Sequence, residues 1–262
     1  MNSIKYTIKN WLQRFDLFYQ IRYSTWYLNR LRRKNGHLRA ILEKESQMYA
    51  KALAKLPNPP QLIFDIGANE GYTIDAFLKT NSQIIAVEPG KRMLSALHVK
   101  FVKNELVTIV PKAVSNCEGT AQFHAHEDAA LNTLNVKWHE KTTDISTPES
   151  PKYLVNTTTL DILIKKYGNP DFIKIDVEGH EMEVLEGLSQ TVSMISFEAN
   201  LPDFREETLA CLDKLATLNP TGVFNFTHDF EWIFENSLNF EQARNFIKKT
   251  NKEYLEVFFI SK

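Results

Sequence analysis

Two stretches of this 262-residue chain place carboxylates where they could hold a nucleotide-bearing cofactor and move a proton. The first is Asp65-Ile66-Gly67-Ala68-Asn69-Glu70-Gly71-Tyr72-Thr73, which follows the apolar run Leu62-Ile63-Phe64; the next apolar run, Ile84-Ile85-Ala86-Val87, closes on Glu88. Strand, glycine loop, helix, strand and acid, in that order, set a cofactor at the carboxyl end of a parallel sheet, with the second acid placed to accept hydrogen bonds from ribose hydroxyls. Glycines at 67 and 71 give G-x-x-x-G, whereas dinucleotide-binding chains show G-x-G-x-x-G. The dinucleotide spacing serves close backbone approach to a pyrophosphate. A cofactor without phosphate, such as S-adenosylmethionine, needs only a tight turn and room for its amino-acid tail. An NAD-dependent oxidoreductase is therefore disfavoured.

The second stretch is Asp171-Phe172-Ile173-Lys174-Ile175-Asp176-Val177-Glu178-Gly179-His180-Glu181. Its apolar alternation stops at Asp176, which puts that carboxylate at the carboxyl edge of the sheet. Glu178 and His180 fall in the turn, Glu181 opens the next helix, and the following strand, Ser193-Met194-Ile195-Ser196-Phe197-Glu198, ends in another acid. Four acids and an imidazole around one crevice repel one another unless a sulfonium, a metal ion or a proton joins them. An alcohol is a poor nucleophile at neutral pH, so a transfer to a hydroxyl calls for a base within hydrogen-bond reach or a divalent cation that lowers the hydroxyl's pKa. Asp176 and Glu178 are the first choice for orienting and deprotonating it, with His180, Glu181 and Glu198 in support. The same two acids are the metal ligands if a metal binds, and hard oxygen donors suit Mg2+. The residues do not decide between metal-assisted and metal-free chemistry.

Each candidate has a plainer reading. Asp65 could cap the helix that follows, and Glu88 could be a strand-end residue in a turn. Asp176 could be a satisfied strand-end acid, and His180 a surface residue. Glu178 and Glu181 sit near a helix start, where the macrodipole favours acids whatever the chemistry. His124 and His126 alternate on one strand face without a convincing third ligand and are read as structural. Trp138 and His139 border an expected lid and could touch substrate, with no motif to support it.

Strands are expected near 61–66, 83–88, 106–110, 171–176, 193–198, 222–227 and 254–260, with helices near 72–80, 91–102, 160–167, 179–188 and 204–218 between most of them. That order gives an α/β fold with a doubly wound, mostly parallel, seven-stranded sheet of Rossmann-like type. The alternating run 120–126 is expected as an extra strand, and 139–152, rich in Thr, Ser, Pro and charge, as a loop. Upstream, Leu56-Pro57-Asn58-Pro59-Pro60 forbids helix continuation. The natural cut leaves a basic, aromatic-rich helical extension over 1–56 and one catalytic domain over 57–262.

Composition narrows the class. Hydrophobic residues make up 43% of the chain, ordinary for a soluble protein with a full core. Cys117 and Cys211 stand far apart, so neither a disulfide framework nor a zinc site is expected. With no long apolar run and no signal-like start, a cytoplasmic location is expected. Residues 1–55 hold 12 basic residues against 3 acidic, a net +9, which leaves 19 basic and 29 acidic in the remainder, a net −10. A rough helical pattern runs through Ile4, Ile8, Trp11, Phe15, Phe18, Tyr19, Trp26, Leu28 and Leu31. One reading is an interfacial helix lying on anionic lipid at the inner face of the membrane. The plainer one packs these aromatics on the catalytic domain or on a second subunit, as a homodimer. Nucleic-acid contact is the least favoured.

FDIGANEGYT with AVEP after it, then TTTLDILIKKYGNPDFIKIDVEGHEMEVLEG and a strand ending ISFEAN, resembles the FkbM-type methyltransferases over roughly residues 61–200. IDVEGHE is the most specific part. The resemblance implies a class I S-adenosylmethionine-dependent fold and O-methylation of a sugar, glycan or other hydroxylated natural product. It implies that the loop with Asp65, Gly67, Ala68, Asn69 and Gly71 cradles the methionine part of the cofactor and that Glu88 holds the ribose. By the same likeness Pro89 lies in the wall, Lys112-Ala113-Val114 lines the adenine, and Asn132-Thr133-Leu134 approaches the cofactor, where many members carry serine. Nucleic-acid amino-methyltransferases carry an Asp/Asn-Pro-Pro-aromatic motif where this chain has Asp176-Val177-Glu178-Gly179, which argues against base methylation. The alternative from another class is a scaffold protein, catalytically weak or inactive, that binds the cofactor or a lipid surface.

Overall fold

Neighbouring residues of the strands point into two different cores, and this alternation builds the layers. In the computed structural model, which describes residues 36–126, 128–143 and 152–262, Phe64, Ile66, Ile85, Val87, Ile173 and Phe197 join one apolar core. Ile63, Ile84, Ala86, Phe172 and Met194 join a second on the opposite side. A side-chain period of two sends successive residues to opposite faces, so strands apolar at nearly every position are covered by helices on both sides.

The chain runs α1 (Gly36–Leu53), β1 (Leu62–Ile66), α2 (Tyr72–Phe77), β2 (Gln83–Val87), α3 (Lys91–Phe101), β3 (Val107–Val110), β4 (Ala113–Val114) and β5 (Gly119–His124). It continues with α4 (Val136–Thr142), β6 (Lys152–Thr158), α5 (Leu160–Tyr167), β7 (Phe172–Ile175), α6 (Glu181–Glu186) and β8 (Met194–Asn200). It ends with α7 (Arg205–Leu218), β9 (Val223–His228), β10 (Glu231–Trp232), α8 (Phe240–Lys249) and β11 (Tyr254–Ile260). The main sheet has the order β10-β9-β11-β8-β7-β1-β2-β3. From β8 to β3 every pairing is parallel, while β11 is antiparallel to both β8 and β9. Hence β9 runs with the parallel set, and β11 and β10 are the reversed strands. The chain leaves β1 outward through β2 and β3, then returns to lay β7 on the other side of β1. The connections after β1 and β7 therefore head for strands on opposite sides, β2 and β8, which marks the topological switch point where such sheets bind ligands.

The doubly wound, mostly parallel sheet is as expected, with eight strands rather than seven because β10 forms a hairpin with β9. A second sheet, β4-β6-β5, lies apart from it. Of these three, β5 was foreseen within 120–126; β6 was not, because its one-sided burial leaves a mixed run, Lys152-Tyr153-Leu154-Val155-Asn156-Thr157-Thr158. The loop expected over 139–152 is corrected at both ends: 139–142 finish α4 and residue 152 opens β6, while 144–151 lie outside the described residues. Helix α8 was also missed, although Asn239 and Gln242 form a capping box at its start.

Met48, Tyr49, Ala52, Leu53 and Leu56 bury in the second core, so the end of the basic region is seated on the sheet. The aromatic pattern from Ile4 to Leu31 lies outside the described residues. Among the described residues no helix is long and apolar enough to cross a membrane.

Candidate active site

The first glycine of the loop is there because backbone crosses backbone. Gly67 has φ +78°, and a Cβ at this position would stand 1.8 Å from the carbonyl oxygen of Asp176. The loop after β1 thus passes directly over the end of β7, which no L side chain permits. The Gly67 and Ala68 amides both donate to the Val87 carbonyl, tying the loop to the end of β2 as well. Gly71, also left-handed at φ +73°, starts α2 without a side-chain cap.

Asp65 does not cap that helix. Its carboxylate, fully buried, accepts from the Thr73 hydroxyl at 2.9 Å and faces Lys174 Nζ at 3.4 Å. Lys174 is the charged residue beneath the cleft that the sequence reading leaves out. It is 4% exposed, lies opposite Asp65 in the β1–β7 register, and reaches Asp176 Oδ2 at 3.0 Å. Burial alone would lower its pKa, but Asp176 and Asp65 outweigh that and the net shift is upward. The available signal was a lysine interrupting Phe172-Ile173-Lys174-Ile175, a strand otherwise fit for burial on both faces.

Glu88 is held from two sides. Its Oε2 accepts from the Asn69 amide at 2.9 Å and its Oε1 from the Gly90 amide at 2.7 Å. Asn69 adopts the left-handed φ of 48°. Burial pushes the Glu88 pKa up to about 7, against the pull of those two amides and of Lys174. A carboxylate has about four lone-pair sites, so two amide donors leave room for hydroxyl donors.

Asp176, Glu178 and Glu198 present oxygens that all lie within 4.8 Å of one another. Burial first, then the charges of Asp176, Glu198 and Glu181, drives the Glu178 pKa up to about 11. Burial, reinforced by Asp176, lifts Glu198 to about 7. Glu178 also sits at φ 56°, a left-handed geometry uncommon for a non-glycine residue. The turn that carries it is clamped from outside: the Thr133 hydroxyl donates to the Glu178 carbonyl at 2.7 Å and the Asn135 side-chain Nδ2 to the Gly179 carbonyl at 2.5 Å.

These parts surround one cleft of about 650 Å3, counting its open mouth. Gly67, Asn69, Glu88, Pro89, Ala113, Asn132, Thr133, Asp176, Glu178 and His180 all line it. The remaining candidates do not. Ala68 and Gly71 shape the loop from behind, and Asp65 lies beneath it. Glu181 folds under the turn, where its Oε1 accepts from the Val177 and Gly179 amides, each at 3.2 Å. Glu198 reaches the cleft only through the carboxylate cluster. His180 Nε2 lies 3.0 Å from Ser115 Oγ, and burial lowers the pKa of this imidazole. Asn132 spends its carbonyl oxygen on the His126 amide at 2.8 Å.

The cleft pairs apolar walls, Val87, Val114 and Phe123, with its polar groups. Its carboxylates, facing Lys174 as a buried cation, give a donor set that favours a cationic guest and hydroxyl donors. That chemistry fits S-adenosylmethionine, and Glu88 with the 67–69 loop would hold it.

Comparison with known proteins bears on the same segments. The pattern that defines the methyltransferase FkbM domain matches residues 65–253. Hexuronic acid methyltransferase AglP of Haloferax volcanii is 24% identical over 176 residues, 66% of this chain and 63% of the relative. The match thus spans less than two thirds of that relative's length. Among solved structures, the plantazolicin methyltransferase BpumL aligns over 99% of both chains at 12% identity, with a TM-score of 0.41. Precorrin-6y C5,15-methyltransferase of Geobacter metallireducens GS-15 aligns over 81% of this chain and 86% of its own, at 14% identity and a TM-score of 0.42.

Proposed function

Because this chain belongs to the methyltransferase FkbM-domain family, we propose that it transfers a methyl group from S-adenosylmethionine to a hydroxyl of a sugar, a glycan or another hydroxylated small molecule. The observation that carries this reading is the convergence of the Gly67 loop, Glu88 and the Asp176–Glu178–Glu198 cluster on one cleft at the switch point of the sheet. The relative AglP is a hexuronic acid methyltransferase, which supports a sugar acceptor. The carboxylate cluster disfavours a free uronate carboxylate beside the reacting oxygen, since like charges repel there.

When bound, S-adenosylmethionine supplies the methyl group and a positive sulfonium. Glu88 would accept from the ribose hydroxyls, its carboxylate kept in place by the Asn69 and Gly90 amides. Asp176, 37% exposed at its side chain and anchored by Lys174, faces the cleft and takes the proton of the acceptor hydroxyl. Glu178, whose proton is held more tightly than usual by burial and by the neighbouring carboxylates, lies beside Asp176 and helps orient the acceptor. Thr133 and Asn135 keep the 178–179 turn from moving, which preserves the alignment on which much of the rate rests.

Two substitutions test this. Glu88→Ala is expected to weaken cofactor binding by tenfold or more in calorimetry, and Asp176→Asn to spare binding while lowering turnover about 100-fold or more. Unchanged affinity in the first, or full turnover in the second, sinks the assignment concerned. A magnesium ion on Asp176, Glu178 and Glu198 is the other way to satisfy the clustered charge. Loss of turnover with EDTA, restored by magnesium, selects it over shared protons.

A further inference from the structure

Behind the cleft wall formed by Asn132 and Thr133, three histidines meet. His124 closes β5, His126 follows two residues later, and His139 comes from α4. They are 3%, 9% and 7% exposed. His126 Nε2 lies 3.1 Å from His139 Nδ1, and the His124 ring lies across His139 with centroids 4.1 Å apart and planes 36° apart. Both ring nitrogens of His124 are buried without a hydrogen-bond partner. Native interiors rarely leave such a group unpaired, because it has lost its water and gained nothing in return.

We propose that His124, His126 and His139 form a binding site for a transition-metal dication of the zinc type, which fastens the cleft wall to the three-stranded sheet. Three imidazoles are a borderline-soft donor set that suits zinc, cobalt, nickel or copper and not magnesium or calcium. Two nitrogens bound to tetrahedral zinc, each at about 2.0–2.1 Å, stand roughly 3.3 Å apart. The separation of His126 Nε2 and His139 Nδ1 is already close to this. As placed, the three rings do not bring one nitrogen each within 4.8 Å of one another, so metal uptake requires His124, now stacked on His139, to turn one nitrogen toward the same centre. That rotation breaks no hydrogen bond, since its ring makes none.

The surroundings couple this site to the cleft. The His124 and Thr133 backbones exchange two hydrogen bonds, the His126 amide is held by Asn132 Oδ1, and Asn135 caps the helix that carries His139. Ordering the three imidazoles would therefore order Asn132 and Thr133, which line the cleft. The site is independent of the methyltransferase reading and stands or falls separately from it.

The test uses the full-length, tag-free protein stripped with a chelator. Titration with Co2+ is expected to give one equivalent of a four-coordinate site with intense visible absorption, bleached when Zn2+ displaces it. His124→Gln and His126→Gln should each lose at least tenfold in Zn2+ affinity, while His228→Gln, remote from the cluster, retains it. X-ray absorption on the zinc-loaded wild type needs no variant and is expected to show an imidazole-rich shell. Failure of the wild type to take up one equivalent, a shell of oxygen alone, or unchanged affinity in both folded variants overturns the proposal.

Discussion

Lys174 sets how many carboxylates the site can tolerate. It stands between Asp65 and Asp176, with Glu178 and Glu198 close enough to feel its charge. Replacing it by methionine keeps the volume and removes the cation. Breaking a buried ion pair from one side costs roughly 3–5 kcal/mol, because the partner is left charged and dry. Asp65, fully buried, bears more of that cost than Asp176, which is partly solvated. Lys174→Met should therefore lower the urea midpoint strongly, and Asp65→Asn added to it should recover part of the loss. A wild-type midpoint for Lys174→Met would show that this pair contributes nothing.

Among the elements, the crossing of the β1 loop over the end of β7 matters most. A methyl group at Gly67 would meet a main-chain oxygen, so no rotamer change relieves the clash and the two strand ends must separate. Gly67→Ala is expected to destabilise by roughly 2–3 kcal/mol or more and to abolish cofactor binding. Gly36→Ala, where a Cβ meets nothing within 4 Å, is the matched control and should melt within about a degree of wild type. Equal melting of the two variants would remove the crossing from the explanation.

At the scale of the whole molecule, buried acid sets the pH response. Glu88, Glu198 and Glu45 titrate near 7, and Glu181 and Glu256 near 8, all raised chiefly by burial from an ordinary 4.5. An acid whose folded pKa is raised holds its proton longer in the native state, so its contribution is complete below 4.5 and is lost as pH climbs through the folded value. His124, His126 and His180, with lowered values, act in the opposite sense but only below their ordinary 6.5. Between pH 6.5 and 8.5 the acids dominate, and the melting midpoint of the ligand-free protein should fall by several degrees. A flat or rising midpoint across that interval contradicts the buried-acid picture. Truncation probes the other end of the molecule. Removing residues 1–55 would strip Met48, Tyr49, Ala52 and Leu53 from the second core, at about 1.5–3 kcal/mol for each large apolar side chain. Such a protein should aggregate or melt far lower, whereas removal of 1–35 leaves α1 in place. We propose that any lipid attachment through the basic segment be tested with the shorter deletion; equal stability of the two truncations would place α1 outside the folding unit.

The sequence by itself determined the strands of the main sheet and the glycine loop between the first of them and its helix. Runs such as Ile84-Ile85-Ala86-Val87, closing on Glu88, carry a local period, and glycine at 67 answers a local need of the backbone. It did so for all seven expected strands and for Gly67, Asn69, Glu88, Asp176, Glu178 and His180 at the cleft, whereas Pro89, Ala113, Asn132 and Thr133, which also line it, rested on the likeness to a family. Partnership across long separations was decided by tertiary structure alone. Lys174 became the counter-ion of Asp65 only because β7 lies beside β1. Glu181 turned beneath its own loop instead of into the cleft, and His139 supplied the third imidazole that His124 and His126 lack in their own strand. Periodicity records which way a side chain faces; which group it meets there depends on the packing of elements that are distant in the chain, and no local pattern encodes that.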